Sequence, residues 1–124
     1  MSDVRSVEVA ARSTDVFGRV LASARNHHLV VDGPVANGCP GEELTPPELF
    51  LSAVATCGVE LVQVLARDRG TTIGPLEVRV EGTLDPSNHV REDVNVFNRV
   101  RVDFTLRGVG DADAAALVEA FKGR

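Results

Sequence analysis

Two cysteines, Cys39 and Cys57, are the residues of this sequence best suited to covalent chemistry. Cys57 lies in the middle of a long apolar stretch, and Cys39 lies in a Gly- and Pro-rich segment before it. A thiol acts as a nucleophile only as the thiolate, which needs a stabilising cation and access to a substrate. The alternatives are that Cys57 is a small apolar core residue and that Cys39 is an incidental exposed residue.

The stretch that carries Cys57 predicts one long helix over 45–70. Thr45 suits the N-cap, Pro46 suits the first helical position, and Glu48 completes the pattern of a capping box. Gly70 suits the left-handed conformation that closes a helix. The helix therefore has clear start and stop signals.

This helix is apolar on three sides and has one narrow polar stripe. A helix that is apolar nearly all round is normally buried in a core, so we expect no membrane span. A chain of 124 residues has limited means to wrap such a helix, and we expect a second copy to pack against it. The stripe comprises Ser52, Thr56, Glu60 and Gln63.

Alternating segments on both sides of the helix predict antiparallel strands with one wet face. The predicted class is α+β, in one domain over 1–124, with antiparallel sheets around a long buried central helix. The predicted segments are N-terminal strands over 4–31 (4–11, 16–24 and 28–31), a loop over 32–44, strands over 76–107 (76–84 and 94–107), and a C-terminal helix over 111–122 capped by Asp111 or Asp113.

Composition excludes several classes of function. The net charge is −5 and Trp and Tyr are absent, which argues against a nucleic-acid partner. No Cys or His pair has zinc-ligand spacing, and we expect no metal or organic cofactor. The N-terminus has no apolar signal core, so we expect a cytoplasmic protein, in which two cysteines seldom form a structural disulfide.

The segment PPELFLSAVATCGVELV, preceded by a DGP turn and a Gly/Pro loop, resembles the family of osmotically inducible protein C and organic hydroperoxide resistance protein (OsmC/Ohr). The later segments VFNRVRVDFTLRG and DADAAALVEAF are also similar to that family. The resemblance implies an intertwined homodimer. It also implies a thiol peroxidase for organic hydroperoxides, with Cys57 as the peroxidatic residue and a dithiol as reductant.

The sequence departs from the family pattern at three places. Pro47 stands where the peroxidases have a glutamate, and Glu48 follows one residue later as the candidate acid that would orient an arginine at the thiol, with the capping box as its alternative role. An activating arginine cannot be aligned, and Arg19 and Arg25 are the nearest candidates. The family's resolving cysteine would follow the last helix, beyond the end of this sequence, and Cys39 is the candidate to replace it.

Two other functions fit the same residues. A non-catalytic dimer could bind a small hydrophobic molecule between sheet and helix, as the departures from the peroxidase pattern favour. An acyl thioesterase would need a carboxylate facing its substrate, for which Glu60 is the obvious helix residue.

Overall fold

The computed structural model describes residues 3–93 and 96–123 and is α+β, as predicted. Contacts divide the chain into two compact units, residues 1–50 and 51–124, so the single domain over 1–124 stays a prediction. The elements are β1 (Ala10–Ser13), β2 (Arg19–Ala24), β3 (His27–Asp32), a 3₁₀ turn (Val35–Asn37), α1 (Pro46–Asp68), β4 (Leu76–Thr83), β5 (Arg99–Leu106) and α2 (Asp111–Phe121).

The N-terminal sheet is an antiparallel meander in the order β1-β2-β3. Arg25 and Asn26 form the turn between β2 and β3, with φ values of 55° and 84°. Two consecutive left-handed residues are typical of a type I′ turn, whose twist suits a two-residue hairpin. This turn falls in the interval between the predicted strands over 16–24 and 28–31.

The first strand is shorter than predicted. β1 begins at Ala10, which pairs with Ser23, and β2 ends one residue later at Ala24. The segment before Ala10 therefore has almost no β2 residues left opposite it. Alternating apolar and polar residues do not form a strand without a partner for their backbone hydrogen bonds. Val4, at the predicted start, is 97% exposed.

The second strand begins at Arg19 rather than at the predicted Val16. Thr14 Oγ1 accepts a hydrogen bond from Val16 N (3.2 Å), and Arg19 N donates to Val16 O (3.1 Å). Gly18 has a φ of 80°, a conformation in which a side chain would be strained. These residues form a turn, which takes the place of the first predicted strand residues.

The start of α1 confirms the predicted boundary. Glu48 Oε1 accepts hydrogen bonds from both Thr45 N (2.9 Å) and Thr45 Oγ1 (2.8 Å). The glutamate thus makes its half of a capping box, while the threonine hydroxyl donates to the carboxylate.

The end of α1 is a Schellman motif. Gly70 has a φ of 67° and donates its N–H to Arg67 O (3.1 Å), while Thr71 N donates to Ala66 O (2.9 Å). These two bonds satisfy carbonyl groups that the helix itself leaves free. The predicted stop at Gly70 is confirmed.

α1 is much less buried in the single chain than predicted. Its buried residues are Gly58, Val62, Leu65 and Ala66. By length and composition the helix could cross a membrane, a criterion that core helices of globular proteins also meet, and 17% of its most apolar stretch is buried. A small chain has too few elements to cover every side of a long helix.

The C-terminal unit packs α1 and α2 on the sheet of β4 and β5. The two strands pair from Leu76 opposite Leu106 to Thr83 opposite Arg99. The core cluster comprises Val62, Leu65, Ala66 and Leu117, and is bordered by Phe104 and Phe121, whose rings meet edge to face at 5.2 Å.

Gly58 marks the closest approach of α1 to this sheet. A β-carbon at Gly58 would lie 3.4 Å from Cε1 of Phe104 and 3.4 Å from both methyl groups of Val78. The absence of a side chain at Gly58 therefore lets the helix pack closely against the sheet.

β5 begins at Arg99 rather than at the predicted Val94, which lies outside the described residues. The segment just before Arg99 is a loop. Asn98 N donates to Thr83 O (2.8 Å), and Asn98 Oδ1 accepts from Asp85 N (2.7 Å). Bonding through a side chain ends the regular ladder at this point.

α2 is capped by Gly110, and not by Asp111 or Asp113 as predicted. Both aspartates lie in the first turn of the helix, where a negative charge is favourable near the positive end of the helix dipole. The predicted helix is thus correct and its cap is wrong by one position.

We expect Gly82→Ala to destabilise the protein by about 1–3 kcal/mol, because overpacking forces side chains to shift. A β-carbon at Gly82 would lie 2.6 Å from Cε1 of Phe97. The matched control is Gly58→Ala, which fits at van der Waals distance and should change stability by no more than about 1 kcal/mol. Urea unfolding followed by circular dichroism measures both, and equal losses would contradict this packing.

Candidate active site

Cys57 is a free thiol on the exposed face of α1. Its neighbours at i−4 and i+3, Ala53 and Glu60, are also exposed, whereas the next residue, Gly58, is buried against the sheet. Within the described part of the C-terminal unit, Sγ has no hydrogen-bond or ion-pair partner. The thiol is therefore accessible, and no described residue of this unit supplies a hydrogen bond or an opposite charge to it.

Cys39 is also a free thiol, but it is half-buried rather than exposed as predicted. A β-carbon on Gly18 or on Gly33 would lie 2.4 Å or 2.5 Å from its Sγ, so the thiol fills a space that two glycines leave open. Its N–H donates to Pro34 O (3.3 Å). This packing explains why the side chain of Cys39 is half-buried although the residue lies in a loop.

Asp32 is the most constrained polar group of the N-terminal unit. It is 0% exposed, and its carboxylate accepts Arg19 Nε at Oδ1 and Arg19 Nη2 at Oδ2, both at 2.8 Å. Oδ2 also accepts the backbone N–H of Glu42 (3.0 Å) and of Glu43 (3.1 Å). A buried carboxylate with four charge-assisted or backbone donors is fully paired.

Arg19 is held between two acids. Besides its two-point contact with Asp32, its Nη2 lies 3.1 Å from Glu42 Oε1. The side chain of Arg19 is 28% exposed and that of Glu42 is 74% exposed. The strand register explains the pairing, because Arg19 and Asp32 lie directly opposite on β2 and β3.

These contacts keep both groups charged. Hydrogen bonding to Arg19 lowers the pKa of Asp32 to about 2, with further lowering by the N–H groups of Glu42 and Glu43. The hydrogen bond to Asp32 raises the pKa of Arg19 above its usual value. Since the folded pKa of Asp32 is depressed, its contribution to stability is complete above its ordinary pKa near 3.8 and is lost as the pH falls through about 2.

The structure gives Glu48 and Arg25 clear local roles. The pKa of Glu48 is lowered by the Thr45 N–H and hydroxyl, which both donate to it at the start of α1. Arg25 is an exposed residue of the β2–β3 turn. Their roles at a thiol site stay predictions.

An apolar groove lies within the N-terminal unit. Its volume is about 290 Å³ and its lining is largely apolar. The lining residues are Val9, Ala22, Ala24, Leu29 and Leu49, together with the polar Ser23, His27 and His28. The groove is near the lower limit of volumes that hold small ligands. Among the described residues, no group of three or more His, Cys, Asp or Glu could hold a metal ion.

Sequence reasoning missed the role of Asp32, which was taken only as part of a turn. The available signal was an acidic residue at the end of an apolar strand, immediately before Gly33 and Pro34. That signal did not identify Arg19 as its partner, because the pairing depends on the register of two strands.

Comparison with known proteins identifies a family that this chain resembles in sequence. The sequence model of the OsmC-like proteins matches residues 39–124, a segment that includes Cys39, Glu48 and Cys57. None of the curated protein sequences compared with this chain is significantly similar to it.

Solved structures share the fold at low sequence identity. An OsmC-like protein from Mycoplasma pneumoniae has a TM-score of 0.81 and 14% identity, over 97% of this chain and 82% of that chain. An organic hydroperoxide resistance protein from Elizabethkingia anophelis has a TM-score of 0.74 and 15% identity, over 99% and 85%. For the organic hydroperoxide resistance protein OsmC from Legionella pneumophila the TM-score is 0.65 and the identity 16%, over 98% and 85%.

At these identities the solved structures establish the fold, while the sequence match covers more than half of the chain. The predicted resemblance is therefore confirmed, and the chain belongs to the OsmC-like protein family.

Proposed function

We propose that this protein is a thiol-dependent peroxidase that reduces organic hydroperoxides, with Cys57 as the peroxidatic residue. The observation that carries the proposal is an accessible free thiol in the middle of α1, inside the segment that matches the family. Several solved structures with this fold are named organic hydroperoxide resistance proteins, which supports the choice of substrate.

The reaction needs no group beyond thiols and a cation. The Cys57 thiolate attacks one oxygen of the hydroperoxide, the O–O bond breaks, and the alcohol leaves after taking a proton, so that Cys57 becomes a sulfenic acid. A second thiol condenses with the sulfenic acid, which releases water and forms a disulfide. A dithiol then reduces that disulfide by exchange.

The cation that stabilises the Cys57 thiolate is an arginine in this proposal. Arg19 is the stronger of the two candidates, because its guanidinium is fixed and partly exposed. Arg25 lies in an exposed turn and has a looser position.

We further propose that the working form is a homodimer in the cytoplasm. The apolar surface of α1, whose most apolar stretch is 17% buried in the single chain, supports an additional protein surface against this helix. A reducing compartment suits a protein whose two thiols are free.

The second thiol of the cycle is supplied by an external dithiol in this proposal. The thiol of Cys39 fills the space between Gly18 and Gly33 and is half-buried, whereas a small external dithiol is not restricted by such packing. Cys39 as resolving thiol is the alternative.

We expect Cys57→Ser to lose hydroperoxide reduction down to the uncatalysed rate, because serine is not ionised at neutral pH. The measurement is the consumption of cumene hydroperoxide in the presence of dithiothreitol. Cys39→Ser is the matched control and should retain turnover with this external dithiol. A Cys57→Ser protein as fast as the parent would refute the proposed function, and a slow Cys39→Ser protein would identify Cys39 as the resolving thiol.

A second candidate function is the binding of a small apolar molecule in the groove of the N-terminal unit. The apolar lining and the volume of about 290 Å³ favour it specifically. This function requires no redox chemistry at Cys57.

We expect Ala22→Leu to weaken the binding of octanol by about tenfold or more, because the larger side chain fills the groove. Val30→Leu, on the neighbouring strand but not in the lining, is the control and should bind as the parent does. Isothermal titration calorimetry measures both. Binding that is equal in all three proteins, or absent from the parent, excludes this groove as the ligand site.

A further inference from the structure

Glu60 is the charged residue of α1 that lies nearest to Cys57 along the chain. It follows the cysteine by three residues, a spacing that places two side chains on one helix face with about 5–6 Å between their β-carbons. Both residues are exposed. We propose that the negative charge of Glu60 determines which molecules reach Cys57, so that uncharged and cationic molecules react in preference to those that carry a carboxylate.

This inference rests on the proposed function where it concerns the substrate. In a thiol peroxidase, the charge of Glu60 selects uncharged organic hydroperoxides over hydroperoxides that carry a carboxylate. The same charge acts on any other charged reagent that approaches Cys57.

The carboxylate of Glu60 is not neutralised within its own unit. Among residues 51–93 and 96–123, no side chain forms a hydrogen bond or an ion pair with it. A glutamate carboxylate is ionised at neutral pH. Its charge therefore acts on the surrounding solvent, to which Cys57 is also exposed.

The uncharged neighbours on this face of α1 do not offset that charge. Thr56 Oγ1 donates to Ser52 O (2.9 Å), a bond within the helix, so the hydroxyl is turned toward the helix backbone. Ala53, one turn before Cys57, has an apolar side chain. Glu60 therefore sets the sign of the charge at this turn of the helix.

The first cation that follows Cys57 in α1 is Arg67, ten residues later. A helix rises about 1.5 Å per residue, so Arg67 lies about 15 Å further along the axis. That distance exceeds the screening length of about 10 Å at roughly 0.1 M salt. Arg67 Nε also lies 3.1 Å from Asp68 Oδ1, so a neighbouring acid compensates its charge.

The charged residues of β4 lie on the other side of the sheet from α1. The methyl groups of Val78 face Gly58, and side chains alternate between the two faces of a strand. Glu77 therefore points away from α1, and its Oε1 lies 3.4 Å from Arg79 Nε. Because Glu77 has the same charge as Glu60 but lies behind the sheet, it provides a matched control.

Removing the charge of Glu60 can change the reactions of Cys57 in two ways. A change in the fraction of thiolate alters the rates with all reagents by the same factor. A change in the attraction or repulsion of the reagent alters only the rates with charged reagents. The ratio of the rates with an anionic and an uncharged reagent therefore isolates the second effect, and the other charges of the protein cancel when variants are compared.

The experiment measures how fast iodoacetate and iodoacetamide alkylate Cys57 in the intact protein at neutral pH and low salt, by mass spectrometry of the Cys57 peptide. We expect Glu60→Gln to raise the ratio of the iodoacetate rate to the iodoacetamide rate by about threefold, the scale of one charge at about 6 Å in water. Glu60→Lys should raise this ratio further. Salt at about 1 M should reduce both effects, because it screens charges beyond about 3 Å.

Glu77→Gln is the control and should leave the ratio at the parent value. Glutamine and lysine have helix propensities similar to that of glutamate, so both variants of Glu60 should retain the circular dichroism of the parent. An unchanged ratio in folded Glu60→Gln and Glu60→Lys, or an equal change in Glu77→Gln, overturns the role of Glu60.

A parallel assay compares the consumption of cumene hydroperoxide with that of its para-carboxylate derivative, in the presence of dithiothreitol. We expect the parent to prefer the uncharged compound and Glu60→Gln to reduce that preference. An equal preference in the parent and in Glu60→Gln overturns the selection of substrates by Glu60. If the parent consumes neither compound, the proposed function fails, while the alkylation ratios still decide the role of Glu60.

Discussion

The contact between Asp32 and Arg19 is the interaction on which the N-terminal unit depends. Removing a carboxylate from water is costly unless every lone pair finds a donor. Here two strands supply the ion pair and the following loop supplies two backbone N–H groups. One side chain thereby ties β2, β3 and the loop before α1 together. Cys39 adds to the same arrangement by filling the space left open at Gly18 and Gly33.

The C-terminal unit is governed by a different constraint, the apolar character of α1. Its sheet-facing side is buried through Gly58, Val62 and Leu65, where the absence of a side chain at Gly58 lets helix and sheet meet. The remaining apolar surface is larger than this unit can cover. In our proposal a second copy of the chain covers this apolar surface of α1. Cys57 lies on the exposed side of the helix.

The sequence predicted best those features that are determined by residues close to them along the chain. The ends of α1 depend on Thr45, Glu48 and Gly70, which act within a few residues, and both ends were predicted correctly. The strand starts at Ala10 and Arg19 depend on pairing with another segment, and both were placed too early. The candidate site shows the same division, because the role of Asp32 is visible only once the register is known.

The reactivity of a thiol in a helix depends on the groups that surround it in the fold, and not on its position in the helix alone. Cys57 was recognised by its motif, and among the described residues of its own unit its Sγ has no hydrogen-bond or ion-pair partner. Glu48, which follows Pro47, accepts hydrogen bonds from Thr45 at the helix start. In the N-terminal unit the surroundings act in the same way on Asp32, because burial, Arg19 and two backbone N–H groups together fix its carboxylate. For both side chains the neighbouring groups in the fold, and not the residue type alone, determine the chemistry that is available.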